Sequence, residues 1–167
     1  MAVTNRLRQL LSVGPSPVRL SMEEIAKTQK LTVISGSGAT RVLTANDSGS
    51  LCMFDRAAGI VYTLPAPEVG LTFTFDYVTT ITSNSGTVTT NAGTVFLGGS
   101  VISIDTDTAN VTVGFVANGT SHVSCASNGT TTGGLAGSRL EVKCVTATRW
   151  VVSGTMLGTG VVLTPFA

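Results

Sequence analysis

The stretch Leu71-Thr72-Phe73-Thr74-Phe75-Asp76-Tyr77 alternates apolar and polar side chains without a break. Successive side chains of an extended chain point to opposite faces, so Leu71, Phe73, Phe75 and Tyr77 make one apolar face. Thr72, Thr74 and Asp76 make the other. Such a segment wants a core on one side and water on the other, which is the pattern of a half-buried β-strand.

The same period of two recurs on both sides of it. Ile60, Tyr62 and Leu64 repeat it upstream; Val111, Val113, Phe115 and Ala117 repeat it downstream. Leu140, Val142 and Cys144 are expected to face inward, with Glu141 and Lys143 facing out. Threonine suits the outward positions, because a β-branched side chain fits the pleat. Between these segments stand turn-forming clusters: Asn46-Asp47-Ser48-Gly49, Pro65-Ala66-Pro67, Asn84-Ser85-Gly86, Gly98-Gly99, Asn118-Gly119, Asn128-Gly129 and Gly133-Gly134. Asn118-Gly119 separates Val111–Ala117 from Ser121–Ala126 and predicts a two-residue hairpin. Many short strands with no long helical stretch predict an all-β, antiparallel sandwich or jelly-roll body over residues 31–167. No internal repeat of fixed length is visible, which makes a β-solenoid the lesser option.

Residues 1–30 read differently. Thr4 is placed to cap a helical segment Asn5–Leu11, with Leu7, Leu10 and Leu11 on one face. Gly14-Pro15-Ser16-Pro17 breaks it. Ser21-Met22-Glu23-Glu24 then forms a capping box for a helix over Met22–Gln29. Helices this short are not stable alone in water, so the arm is expected to lie on a body or a partner.

Charge divides along the same boundary. The first thirty residues carry five Lys or Arg against two Glu; the rest carry five against seven Asp or Glu. A mildly basic arm on a nearly neutral body suits an acidic protein surface. It is too weakly charged for nucleic acid, where several phosphate contacts are needed. No apolar run is long enough for a membrane span, and the opening residues lack the apolar core of a signal peptide. Synthesis and folding in a cytoplasm are therefore expected. With hydrophobic residues at 43% and mean hydropathy +0.39, the chain can bury a core and is not disordered by composition.

Chemistry-bearing residues are sparse. Charged residues make up 11% of the chain, and His122 is its one histidine. Ser121 adjoins His122, but neighbours on a strand point to opposite faces, which does not build a Ser–His pair. Asp105-Thr106-Asp107 could offer two carboxylates on one side, too few for a hard cation that takes six or more oxygens. The glycine pairs lack the Gly-Lys-Ser/Thr of a phosphate loop, and the Asn-Gly-Thr sequences at Asn118 and Asn128 read as turns. Cys52, Cys125 and Cys144 are widely spaced and read as buried apolar residues. The expectation is a protein that is not an enzyme and uses no cofactor or metal.

Two longer phrases carry a resemblance. The first is Leu43-Thr44-Ala45-Asn46-Asp47-Ser48-Gly49 followed by Tyr62-Thr63-Leu64-Pro65-Ala66-Pro67-Glu68-Val69-Gly70-Leu71-Thr72-Phe73-Thr74-Phe75. The second is Gly137-Ser138-Arg139-Leu140-Glu141-Val142-Lys143 leading to Arg149-Trp150-Val151-Val152-Ser153-Gly154. Together these resemble the small β-rich virion structural proteins of tailed bacteriophages, above all head decoration (cement) proteins. The resemblance implies a homotrimer on the outer capsid surface whose arms reach over neighbouring major capsid subunits and stabilise the shell.

On that reading the capsid-docking arm uses Leu7, Leu10, Leu11, Val18, Leu20, Met22 and Ile25, with Arg6, Arg8 and Arg19 steering. The oligomer interface is expected in the C-terminal part, at Trp150, Val161, Leu163 and Phe166. The competing reading is a receptor- or glycan-binding head of a phage fibre or spike. That would call for exposed aromatic rings, in a chain whose aromatic content is 5%.

Overall fold

The computed structural model describes residues 31–36, 38–107 and 111–167. The two helices expected in the arm lie outside the described residues. From Thr32 onward the chain is one compact unit, and it is all-β. Its strands are β1 (Val33–Ile34), β2 (Thr40–Val42), β3 (Leu51–Phe54), β4 (Val61–Thr63), β5 (Thr72–Tyr77) and β6 (Gly86–Thr89). There follow β7 (Phe96–Asp105), β8 (Thr112–Asn118), β9 (Ser124–Ser127), β10 (Arg139–Thr146) and β11 (Arg149–Gly158).

These form a seven-stranded sheet, in the order β1-β3-β5-β10-β11-β7-β8, and a four-stranded sheet, β2-β4-β6-β9. Antiparallel pairing throughout was the expectation, and here the structure corrects it. The pairs β1–β3, β3–β5, β2–β4, β4–β6 and β7–β11 are parallel; β5–β10, β10–β11, β7–β8 and β6–β9 are antiparallel.

The reason lies in the path of the first half. From β1 to β6 the chain alternates between the two sheets, so each strand meets the one laid down a full circuit earlier. Val33 lies beside Leu51 and Leu51 beside Thr74, steps of 18 and 23 residues. Thr40 lies beside Val61 and Val61 beside Thr87, steps of 21 and 26. This is a short solenoidal winding whose circuits differ in length. Unequal circuits explain why no fixed repeat shows in the sequence. The Greek-key pairing that a jelly roll requires is antiparallel, and these parallel ladders do not supply it.

The inward phases are those the alternation predicts, except at Val111–Ala117, where Ala117 is buried, Val113 and Phe115 are half-buried and Val111 is exposed. Phe73, Phe75, Ile60, Tyr62, Leu64, Leu140 and Val142 are fully buried, and Leu71, Tyr77 and Cys144 nearly so. The two sheets share this sandwich-like core. Phe54 of the larger sheet packs edge-on to Tyr62 of the smaller (ring centroids 5.2 Å apart) and stacks on Tyr77 at 4.2 Å. The polar tips of these rings are satisfied. The Tyr62 hydroxyl donates to the Met53 carbonyl at 2.7 Å. Ser127 Oγ donates to the Gly86 carbonyl, which leaves it to accept the Tyr77 hydroxyl at 2.9 Å.

Asn118-Gly119 does turn the chain, with Gly119 at φ 72°, but it does not close a hairpin. It carries the chain from β8 in the larger sheet to β9 in the smaller. Asn118 Oδ1 accepts the backbone N–H groups of Thr120, Ser121 and His122. Asn128 does the same work after β9, accepting from Thr130 and Thr132. The side chain of an Asn that mimics a backbone turn fits either kind of connection. The dipeptide therefore could not reveal which sheet came next.

Candidate interaction surface

Strand β8 closes one side of the larger sheet, pairing with β7 and, among the described residues, with nothing beyond it. Its register with β7 sets which way its backbone groups point. The Asp105 N–H donates to the Val111 carbonyl, and the Gly119 N–H to the Leu97 carbonyl. In an antiparallel ladder, hydrogen-bonded and non-hydrogen-bonded pairs alternate. Val113, Phe115 and Ala117 therefore turn their N–H and C=O toward β7, while Thr112, Gly114 and Val116 turn theirs to the open edge. Asn118 shares that outward phase, and its N–H finds His122 Nδ1 at 3.2 Å.

Along the edge itself the side chains are uncharged, while Asp105 and Asp107 flank one end of it and Arg149 lies against Gly119 at the other. No Lys, Arg, Asp or Glu occurs in residues 111–123, 96–104 or 158–167. Val116 is 69% exposed, and Ile102 stands out because its cross-strand neighbour is Gly114. On the inner face, Val111 and Val113 meet Val161 and Val162 of the C-terminal segment around a pocket of about 430 Å³. On the central strands of the larger sheet, Arg139 stands 3.6 Å from Asp76 and 3.9 Å from Glu141.

Asp105 and Asp107 border the same pocket, and they hold structure together. Buried Asp105 accepts the Asp107 N–H at 3.0 Å, and Asp107 accepts the Gly160 N–H at 2.8 Å. Thr106 donates both its N–H and its hydroxyl to the Gly158 carbonyl. The triplet fastens the end of β7 to the segment after β11. Among the described residues no group of three His, Cys, Asp or Glu side chains is placed to hold a metal ion, and no helix is long and apolar enough to cross a membrane.

The predicted interface residues divide. Trp150 is fully buried, 5.9 Å from Phe73 by ring centroids, and Phe166 is buried against the stacked ring of His122. Both side chains are spent on the chain's own core and offer a second copy no surface, which corrects their assignment to an interface. Val161 and Leu163 stand exposed. The arm residues Arg6, Leu7, Arg8, Leu10, Leu11, Val18, Arg19, Leu20, Met22 and Ile25 lie outside the described residues.

His122 is half-buried and oriented by its turn, while Ser121 bonds Asn118 Nδ2; the two make no nucleophilic pair. All three cysteines are buried free thiols. Burial pushes Cys52 and Cys125 up to about 12, so they carry no thiolate near neutral pH. Thr112, Gly114 and Val116 were missed from the sequence. The signal available for them was thirteen residues without charge, masked by the hairpin reading, which gave this strand a second partner. Compared with protein families, curated proteins and solved structures, the chain has no match.

Proposed function

We propose that this protein is a structural virion component that binds the outer surface of a phage capsid as an oligomer and stabilises the shell by clamping neighbouring major capsid subunits. Its body is a two-layer β-sandwich, its arm reaches across the lattice, and it is not an enzyme. The observation that carries this reading is the kind of surface exposed. Val116, Val161 and Leu163 are large apolar side chains left exposed on the body, which suits contact with protein better than with nucleic acid. Bonds from one body to several subunits act together, so modest contacts give firm attachment. A threefold oligomer, implied by the resemblance, matches the local symmetry of such a lattice.

The fibre-head reading has less support. Of the nine aromatic side chains, seven are buried, and Phe96 and Phe115 are half-buried. That leaves no exposed ring platform on which a sugar could stack.

The test is to count copies in purified virions. Hundreds of copies fit a head protein; a handful would reject the capsid reading. A chain lacking residues 1–30 is expected to keep its folded body and lose capsid binding, and normal decoration by that chain would remove the arm from the mechanism.

A further inference from the structure

We infer that two copies of this chain pair through β8, edge to edge and antiparallel, about a two-fold axis at Gly114. The inference rests on the edge alone and is independent of the capsid reading. A two-fold contact is also distinct from the threefold one that the resemblance implies.

The first argument is contrast with the other edges. Natural sheets protect open edges by making them short, charged or broken by proline. Strand β1 has two residues, and β2 has three, with Arg41 in the middle. Beyond β9, the C-terminal segment is laid alongside. Ala167 accepts from Val123 and Ser124, and Pro165 accepts from Ala126. That covering segment is short and contains a proline, and the outward-turned N–H of Phe166 is taken by Thr164 Oγ1. Strand β8 has seven residues, no charge and no proline. It is the one described edge that carries none of these protections.

The second argument is self-complementarity. A two-fold axis at Gly114 sets Gly114 opposite its own copy and Thr112 opposite Val116 of the second copy. These are the residues whose N–H and C=O face outward, so three hydrogen-bonded pairs form, about six bonds in all. On the inner face the same register sets Val113 against Phe115 of the second copy, twice over. An aromatic ring beside a β-branched side chain is a favourable cross-strand pair, and non-hydrogen-bonded positions bring it closest. At the axis, two glycines meet with no side chains to collide.

The third argument selects the occupant. A charged partner strand would set its charges against a row of uncharged residues along β8, whereas a second β8 brings no charge of its own. With a net charge of +1, two copies repel each other little.

The test uses the full chain. Light scattering at micromolar concentration is expected to give an even multiple of the chain mass, two where β8 alone associates. Gly114→Lys is expected to halve it, since the axis then opposes two ammonium groups. A Cβ added at residue 114 meets no atom within 4 Å, so this variant is expected to fold, which unchanged emission from the single tryptophan checks. Val42→Lys, on the edge of the smaller sheet, is expected to leave the dimer intact. Gly114→Cys is expected to oxidise to a covalent dimer, because opposed residues in such a pair lie about 5.5 Å apart, within disulfide reach. The native thiols are buried and do not compete. A monomeric wild type, or an assembly whose mass Gly114→Lys does not halve, overturns the proposal.

Discussion

At Trp150 a large ring is fully buried with its Nε1–H finding no acceptor among the described residues. Burying a donor without an acceptor costs about 1–3 kcal/mol, so this residue contributes packing and wastes a hydrogen bond. Trp150→Ala is expected to lose about 3–5 kcal/mol, measured by urea unfolding followed by circular dichroism. Trp150→Phe is expected to lose clearly less, since it shrinks the ring but removes the orphan donor. Equal losses would mean that the indole N–H has an acceptor after all. The thiols make a second test. Cys52 and Cys125 are held protonated by burial, as are the hydroxyls of Tyr62 and Tyr77. Unfolded, these groups would ionise near 8.5 and 10. The folded state is therefore favoured by all four below about pH 8.5, and that advantage drains away as pH climbs toward 12. Alkaline unfolding with no change between pH 6 and 8 from these groups is expected. Thiol reagents at pH 8 should find the cysteines unreactive until denaturant is added.

At the scale of the strand, the sequence was informative where one side chain decides one face. The alternation at Leu71–Tyr77 and Leu140–Cys144 names the buried residues correctly, because the period of two is a local property. Pairing is not local. Parallel and antiparallel neighbours ask for the same alternation, so nothing in Ile60, Tyr62 and Leu64 could say that β4 runs parallel to β2 and β6. The turn at Asn118 failed for a related reason: its side chain serves a crossover as well as a hairpin. That crossover is a testable device. Asn118→Ala is expected to cost about 1–2 kcal/mol by removing one acceptor shared among several N–H groups. Asn118→Asp keeps an oxygen in place and is expected to recover most of the loss, read from thermal melts.

At the scale of the whole molecule, the all-β character of the body was legible from its period of two. Which C-terminal apolar residues stand exposed was only half legible. Val161 and Leu163 do stand exposed. Trp150 and Phe166 were misassigned because a large apolar side chain near a chain end reads alike whether it fills its own core or a neighbour's. Refolding is expected to be slow, in the millisecond-to-second range, because so much of the pairing joins distant residues. Stopped-flow tryptophan fluorescence would check this, and a microsecond phase carrying the full amplitude would contradict it.

The winding also sets a timetable on the ribosome. Phe73 of β5 waits for Val142 of β10, which lies 69 residues later. At ordinary rates of translation that interval lasts about 3–14 s. During it, the nascent chain carries half a sheet whose growing side has no neighbour yet. Chains cut short before Arg139 are accordingly expected to precipitate or to be captured by chaperones, while the finished chain does neither.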